Sequence, residues 1–214
     1  MKTLSYTQGY FLCAVNDKHN ISSSSRRIAL IVSGIIELLS HKYIVEEKKD
    51  KLVAGKEWDD SLSYLEPLYK TIVTSKKPLS IGGIVNSYSE KRFKELFVAI
   101  GDSLVELDCA DKLSKKGLRK VKIIYVPKAK TIASIIERVR TELLAGETMT
   151  DETIYLTALL DIDGLIRYYF SKDEMQVVKA RLREAKGNLM QTSILRVIDE
   201  ITAIIITSSI VVSE

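Results

Sequence analysis

Apolar residues recur every three to four positions through most of the chain, while alternating β-type runs are few and short, so the pattern predicts a mainly helical protein. Leu4 to Val15 reads as a first helix ending at Asn16-Asp17-Lys18. Ser25 to Ser40 reads as a second, with Ile28, Ile31, Val32, Ile35, Ile36 and Leu39 on its buried side. Two short β-type runs, Tyr43 to Glu46 and Leu52 to Ala54, flank the charged turn Glu47-Lys48-Lys49-Asp50-Lys51 and predict a small hairpin. Asp59 is placed to cap a helix running to about Val73, Pro78 and Ser80 open a shorter one, and a long helix follows from about Ser89 to Asp108. A second hairpin turns a polar segment near Asp111 to Lys115 back onto the strand Arg119 to Val126, which Pro127 ends. Helices resume at about Ala129 to Leu144, Asp151 to Leu160, Lys172 to Ala185 and Met190 to Ile206.

No fixed-period repeat interrupts this order of helices, hairpin, helices, hairpin, helices. The 214 residues, 46% of them hydrophobic, suffice for one sizeable core, and no Pro-rich or Gly/Ser-rich linker divides them, so a single domain over 1–214 is expected. The run Ser22 to Ser25 reads as loop and helix cap. Ile201 to Val212 is strongly apolar but shorter than the roughly 20 residues that cross a bilayer, and Arg196, Asp199 and Glu200 stand just upstream; a buried core helix is expected there. The N-terminal segment, polar at Tyr6-Thr7-Gln8 ahead of a short apolar stretch, does not read as a secretory signal. Cys13 and Cys109 both fall in apolar helical patterns without C-x-x-C spacing, which fits a reducing cytoplasm rather than a zinc site or disulfide framework.

The net charge of +4 is modest, but it is unevenly spread. Lys112, Lys115, Lys116, Arg119, Lys120, Lys122, Lys128 and Lys130 fall in one stretch with no acid among them. Such a local field attracts phosphate-bearing partners, although lysines also keep exposed hairpin edges from pairing with other chains. Arg26-Arg27 open the second helix, and Lys91-Arg92 and Lys94 lie early in the long fifth one. Arg26, Arg27, Lys91, Lys94, Lys116, Arg119, Lys120 and Lys122 are therefore the candidate set for one phosphate-facing surface, with scattered solvated charge as the alternative.

Catalysis finds little support. His19 and His41 have no neighbouring Cys or spaced carboxylate, so neither metal nor cofactor is expected. Asp59-Asp60 and Asp161-x-Asp163 sit at helix ends, where capping and turn roles suffice. Ser80-Ile81-Gly82-Gly83 lacks the lysine and glycine spacing of a P-loop, and no nucleophile elbow or dinucleotide fingerprint occurs. Trp58, the sole tryptophan, reads as half-buried packing rather than an interfacial anchor.

Read as ordered motifs, the chain resembles the Golgi phosphoprotein 3 family over nearly its whole length. The carriers are the first helix ending at Asn16-Asp17-Lys18, Gly34-Ile35-Ile36-Glu37-Leu38-Leu39 leading to the Tyr43 hairpin, and Asp59-Asp60-Ser61-Leu62. Leu104-Val105-Glu106, Ile135-x-x-Arg138-Val139-Arg140 and Leu156-x-x-Leu159-Leu160 with Gly164-Leu165 follow in order. The resemblance implies a helical bundle core surrounded by amphipathic helices, with two short β-hairpins used in membrane contact and self-association. It also implies a non-catalytic adaptor that is cytoplasmic, peripheral to membranes, and bound to phosphatidylinositol 4-phosphate. Counted without gaps from Glu37, the family pocket's tryptophan falls at Ser22 and its arginine at Ile31; its two further basic positions fall at about Lys94 and Phe97. The chain opens almost at the family's first helix, which points to a bacterial-type member without the coat-binding tail of eukaryotic ones.

The leading expectation is thus a protein that binds anionic phospholipid headgroups at a membrane surface. A long helix followed by a basic hairpin also resembles a winged helix-turn-helix, so duplex nucleic acid is the alternative partner, disfavoured by a single aromatic, Tyr125, in the basic stretch. A homo-oligomeric scaffold built through the hairpin is the third reading.

Overall fold

The computed structural model describes residues 4–15, 20–48, 50–116, 121–146 and 148–189. The fold is mainly α with two small antiparallel two-stranded sheets. Helix α1 (Tyr6–Ala14) begins two residues later than the apolar pattern suggests, because Ser5 forms a capping box: its hydroxyl accepts from the Gln8 backbone at 3.2 Å, and the Gln8 side chain accepts from the Ser5 backbone. Helix α1 is buried on all sides, as is α7 (Asp151–Ile162), and with α2 (Ser24–Ser40) they form the bundle core. Leu30, Ile35, Ile36 and Leu38 on α2 are fully buried, each contributing about 1.5–3 kcal/mol relative to exposure.

Around this core lie helices with only one buried face. They are α5 (Glu90–Glu106), α6 (Ala129–Leu144) and α9 (Lys172–Leu189), with the shorter α3 (Glu66–Val73), α4 (Ile81–Ser87) and α8 (Ile166–Tyr169) between them. Strands β1 (Ile44–Lys48) and β2 (Lys51–Ala54) make the first hairpin, with Val45 opposite Val53. Strands β3 (Ala110–Lys116) and β4 (Val121–Pro127) make the second, in unbroken register from Ala110–Pro127 to Lys116–Val121.

The helix expected from Asp59 to Val73 is two elements. Asp59 does cap it, accepting from the Ser61 backbone at 2.9 Å, but the first six residues form a 3₁₀ turn, Asp60–Leu65, with Leu62 off helical geometry. Helix α3 then starts at Glu66 because Pro67 suits only a first turn. Cys109 lies in the turn between α5 and β3, not in a helix; Cys13 is buried in α1. The helix expected at Met190 to Ile206 and the apolar run Ile201 to Val212 lie outside the described residues. Trp58 packs half-buried, its ring 4.3 Å from Tyr69 and 4.9 Å from Tyr43 between centroids.

The second hairpin is fastened at its root. Tyr125 is fully buried, its ring lies directly on Gly101 of α5, and a Cβ there would come within 2.4 Å of the ring. The Tyr125 hydroxyl donates to Asp102 at 2.6 Å, and Lys112 pairs with the same carboxylate at 2.7 Å. Only glycine permits this approach of ring to helix.

Candidate functional site

A cleft of about 830 Å³ opens between three segments distant in sequence: residues 20–22 with the first turn of α2, the start of α5, and β4. Ser89 caps α5 through its hydroxyl, and Glu90 in the first turn suits the positive end of the helix dipole. From there Lys91, Lys94 and Val98 recur at helical spacing and line the cleft. Phe93 and Phe97, four residues apart, form its floor, only 6% and 8% exposed. Strand β4 contributes Lys122 and the half-buried Ile123 to the opposite wall.

Arg27 closes the third side and is already engaged. Its guanidinium forks onto the Glu90 carboxylate, with Nη2 donating to Oε2 at 2.8 Å, and its Nε donates to the Ile21 carbonyl at 3.3 Å. The same group lies 4.6 Å above the Phe93 ring. Hydrogen bonding within this pair holds the Glu90 carboxyl below its ordinary range and raises Arg27 further. Lys91, Lys94 and Lys122 are exposed and hold no ion pair among the described residues. Lys122 also stands directly across the hairpin from Lys115, a like-charge pairing that costs stability unless an anion meets it.

The candidate residues thus divide. Arg27, Lys91, Lys94 and Lys122 converge on the cleft, where Ser22 and Phe97 also lie. Arg26 does not line it: its carbonyl accepts from the Tyr10 hydroxyl at 3.4 Å, and its charge acts on Asp163 instead. Neighbours on a helix are about 100° apart, so the adjacent arginines leave α2 in different directions. Ile31 is buried beneath and lines a smaller hollow of about 140 Å³. Lys116 ends β3 opposite Val121, while Arg119 and Lys120 lie outside the described residues. The basic stretch is also less uniform than its sequence suggests, since Lys112 pairs with Asp102 and Lys128 with Asp108. Glu90, Val98 and Ile123 were not singled out from sequence; the i, i+3, i+7 spacing of Lys91, Lys94 and Val98 carried that signal.

A second hollow, of about 460 Å³, lies where the end of α2 meets the start of α1, the end of α5 and the 3₁₀ turn. Glu37, 1% exposed, is among its lining residues. That carboxylate accepts from the Tyr64 hydroxyl and from the Thr7 backbone at 3.2 Å, while Gln8 donates to Ser103 at 3.1 Å. Elsewhere burial pushes the Cys13 thiol up to about 12, which leaves it a poor nucleophile. The described residues contain no group of three or more His, Cys, Asp or Glu side chains placed to hold a metal.

Comparison with known families matches the chain, over residues 8–201, to the model described as Golgi phosphoprotein 3 (GPP34). No curated protein matches it. No helix among the described residues is long and apolar enough to cross a membrane.

Proposed function

The chain belongs to the Golgi phosphoprotein 3 family, and from that premise we propose that it is a peripheral membrane protein whose basic cleft binds the anionic headgroup of a phospholipid. The observation that carries this reading is the convergence of Lys91, Lys94 and Lys122, all exposed and without ion pairs among the described residues, beside an Arg27 fork whose geometry suits a phosphate. Each such cation is worth about 1 kcal/mol near an anionic surface, enough together for reversible attachment. The family resemblance further points to phosphatidylinositol 4-phosphate as the headgroup, and to a cytoplasmic adaptor that makes and breaks no bond. Ser22, Ile31 and Phe97, standing where the family pocket carries its tryptophan and two basic side chains, leave Lys94 as the matching cation.

Co-sedimentation tests this with vesicles of neutral lipid, generic anionic lipid, and equal charge supplied as phosphatidylinositol 4-phosphate, each at two salt concentrations. Charge reversal at Lys94 and Lys122 together is expected to weaken binding on the order of 100-fold. Unchanged sedimentation of that variant would remove the cleft from the reading. Salt-steep binding to unrelated DNA duplexes, with no vesicle binding, would transfer the function to nucleic acid.

A further inference from the structure

The cleft is larger and more apolar than a phosphate needs. Its 830 Å³ falls within the roughly 300–1,000 Å³ of sites that enclose small organic ligands. Four cations and one carboxylate stand at its walls, yet Phe93, Phe97, Val98 and Ile123 line it as well. The neutral hydrogen-bonding side chains that line it are Asn20 and Ser22. A hydrocarbon segment would find an apolar surface here, and its ionic end would find lysines.

We propose, resting on the headgroup reading above, that the cleft takes an anionic amphiphile rather than a headgroup alone: a phosphate at Lys91, Lys94 and Lys122, with its alkyl chain laid along Phe97, Val98 and Ile123, the carbons beyond a butyl length included. Binding then draws the ligand partly out of its bilayer, and the protein distinguishes a lipid phosphate from a free one by the attached chain. Fully burying one methylene raises affinity about fourfold, so four added carbons, even half-buried, should raise it at least about tenfold.

The test is calorimetric titration of the intact chain with butyl phosphate, octyl phosphate below its micelle concentration, inositol phosphate and inorganic phosphate. Octyl phosphate should bind at least tenfold tighter than butyl phosphate and well above both chain-free anions. The half-buried Val98→Gln and Ile123→Gln variants should collapse that ratio to under threefold, and Lys94→Glu should weaken both alkyl phosphates alike. A ratio near one, a ratio that survives both glutamine variants, or inositol phosphate binding as tightly as octyl phosphate would overturn the amphiphile while leaving the headgroup site standing. If Lys94→Glu changes neither alkyl phosphate binding nor vesicle sedimentation, the headgroup reading falls with it.

Discussion

Two of the hollows among the described residues, the one around Glu37 and the cleft at the start of α5, use their polar groups in opposite ways. Around Glu37 the donors and acceptors meet each other: tyrosine hydroxyl and backbone amide on the carboxylate, glutamine on serine. In the cleft at the start of α5, three lysines face solvent without a described counter-ion, and only Arg27 finds one, in Glu90. A polar cavity whose groups are mutually satisfied is part of the fold's own construction. One whose lysines lack partners among the described residues, over an apolar floor, leaves those charges available, which is what the proposed function draws on.

That contrast breaks first at Glu37. Glu37→Leu leaves the Tyr64 hydroxyl and the Thr7 amide unpaired in the interior, and should cost about 3–5 kcal/mol in denaturant unfolding. Vesicle binding per folded molecule should be unchanged. A variant of full stability, or one that loses binding while still folded, would erase the distinction between the hollows.

Asp163 sharpens it from the inside. This carboxyl ends α7, accepts from the Tyr10 hydroxyl and from the Leu165 backbone at 2.9 Å, and faces Tyr169, Cys13 and Arg26. Burial outweighs those hydrogen bonds and raises it from 3.8 to about 6. Between these values the folded state holds the proton that the unfolded state has released, so the group's contribution to stability falls as pH rises through the window. Asp163→Asn removes the charge and keeps one of the two acceptor contacts, because the Tyr10 hydroxyl and the Leu165 amide use different carboxyl oxygens; that loss is the same at every pH, so the pH dependence isolates the charge. Its stability relative to the parent should therefore climb between pH 4 and 7 by on the order of 2 kcal/mol, read from paired thermal melts. A flat difference would mean that burial does not outweigh the hydrogen bonds at Asp163.

The smallest effect belongs to the cleft's own anion. Glu90 occupies the Arg27 fork that a ligand phosphate would otherwise use. Glu90→Gln should strengthen binding to anionic vesicles about threefold, with stability changed by less than about 0.5 kcal/mol, as is usual at exposed sites. Weaker binding would instead make Glu90 part of the binding surface.

Much of the architecture was legible because periodicity reports burial directly: α5, α6 and both hairpins fall close to their expected ranges. Pro67 carried the signal for the break that splits the Asp59 helix, but only the folded chain shows Leu62 leaving helical geometry. The cleft was legible as residue types and illegible as a set. Arg27, Lys91, Lys94 and Lys122 come from three elements, and nothing in one-dimensional spacing states that they meet. Arg26 was grouped with Arg27 by adjacency, which on a helix separates rather than unites. The densest run of positive charge lies on the hairpin whose Lys122 lines the cleft, yet Lys112 and Lys128 from that run are spent on Asp102 and Asp108.

The seat of Tyr125 on Gly101 gives the cleft a mechanical character. Ring, hydroxyl and the neighbouring Lys112 pair rivet the hairpin to α5 a few residues from where Lys94 and Val98 project. Two of the three walls are thus one stiff bracket, whose jaw width is fixed when the chain folds. The remaining wall, residues 20–22, is mounted separately, through the buried Ile21 whose carbonyl accepts from Arg27, so the opening is set like a vice with two independent mountings rather than by a hinge.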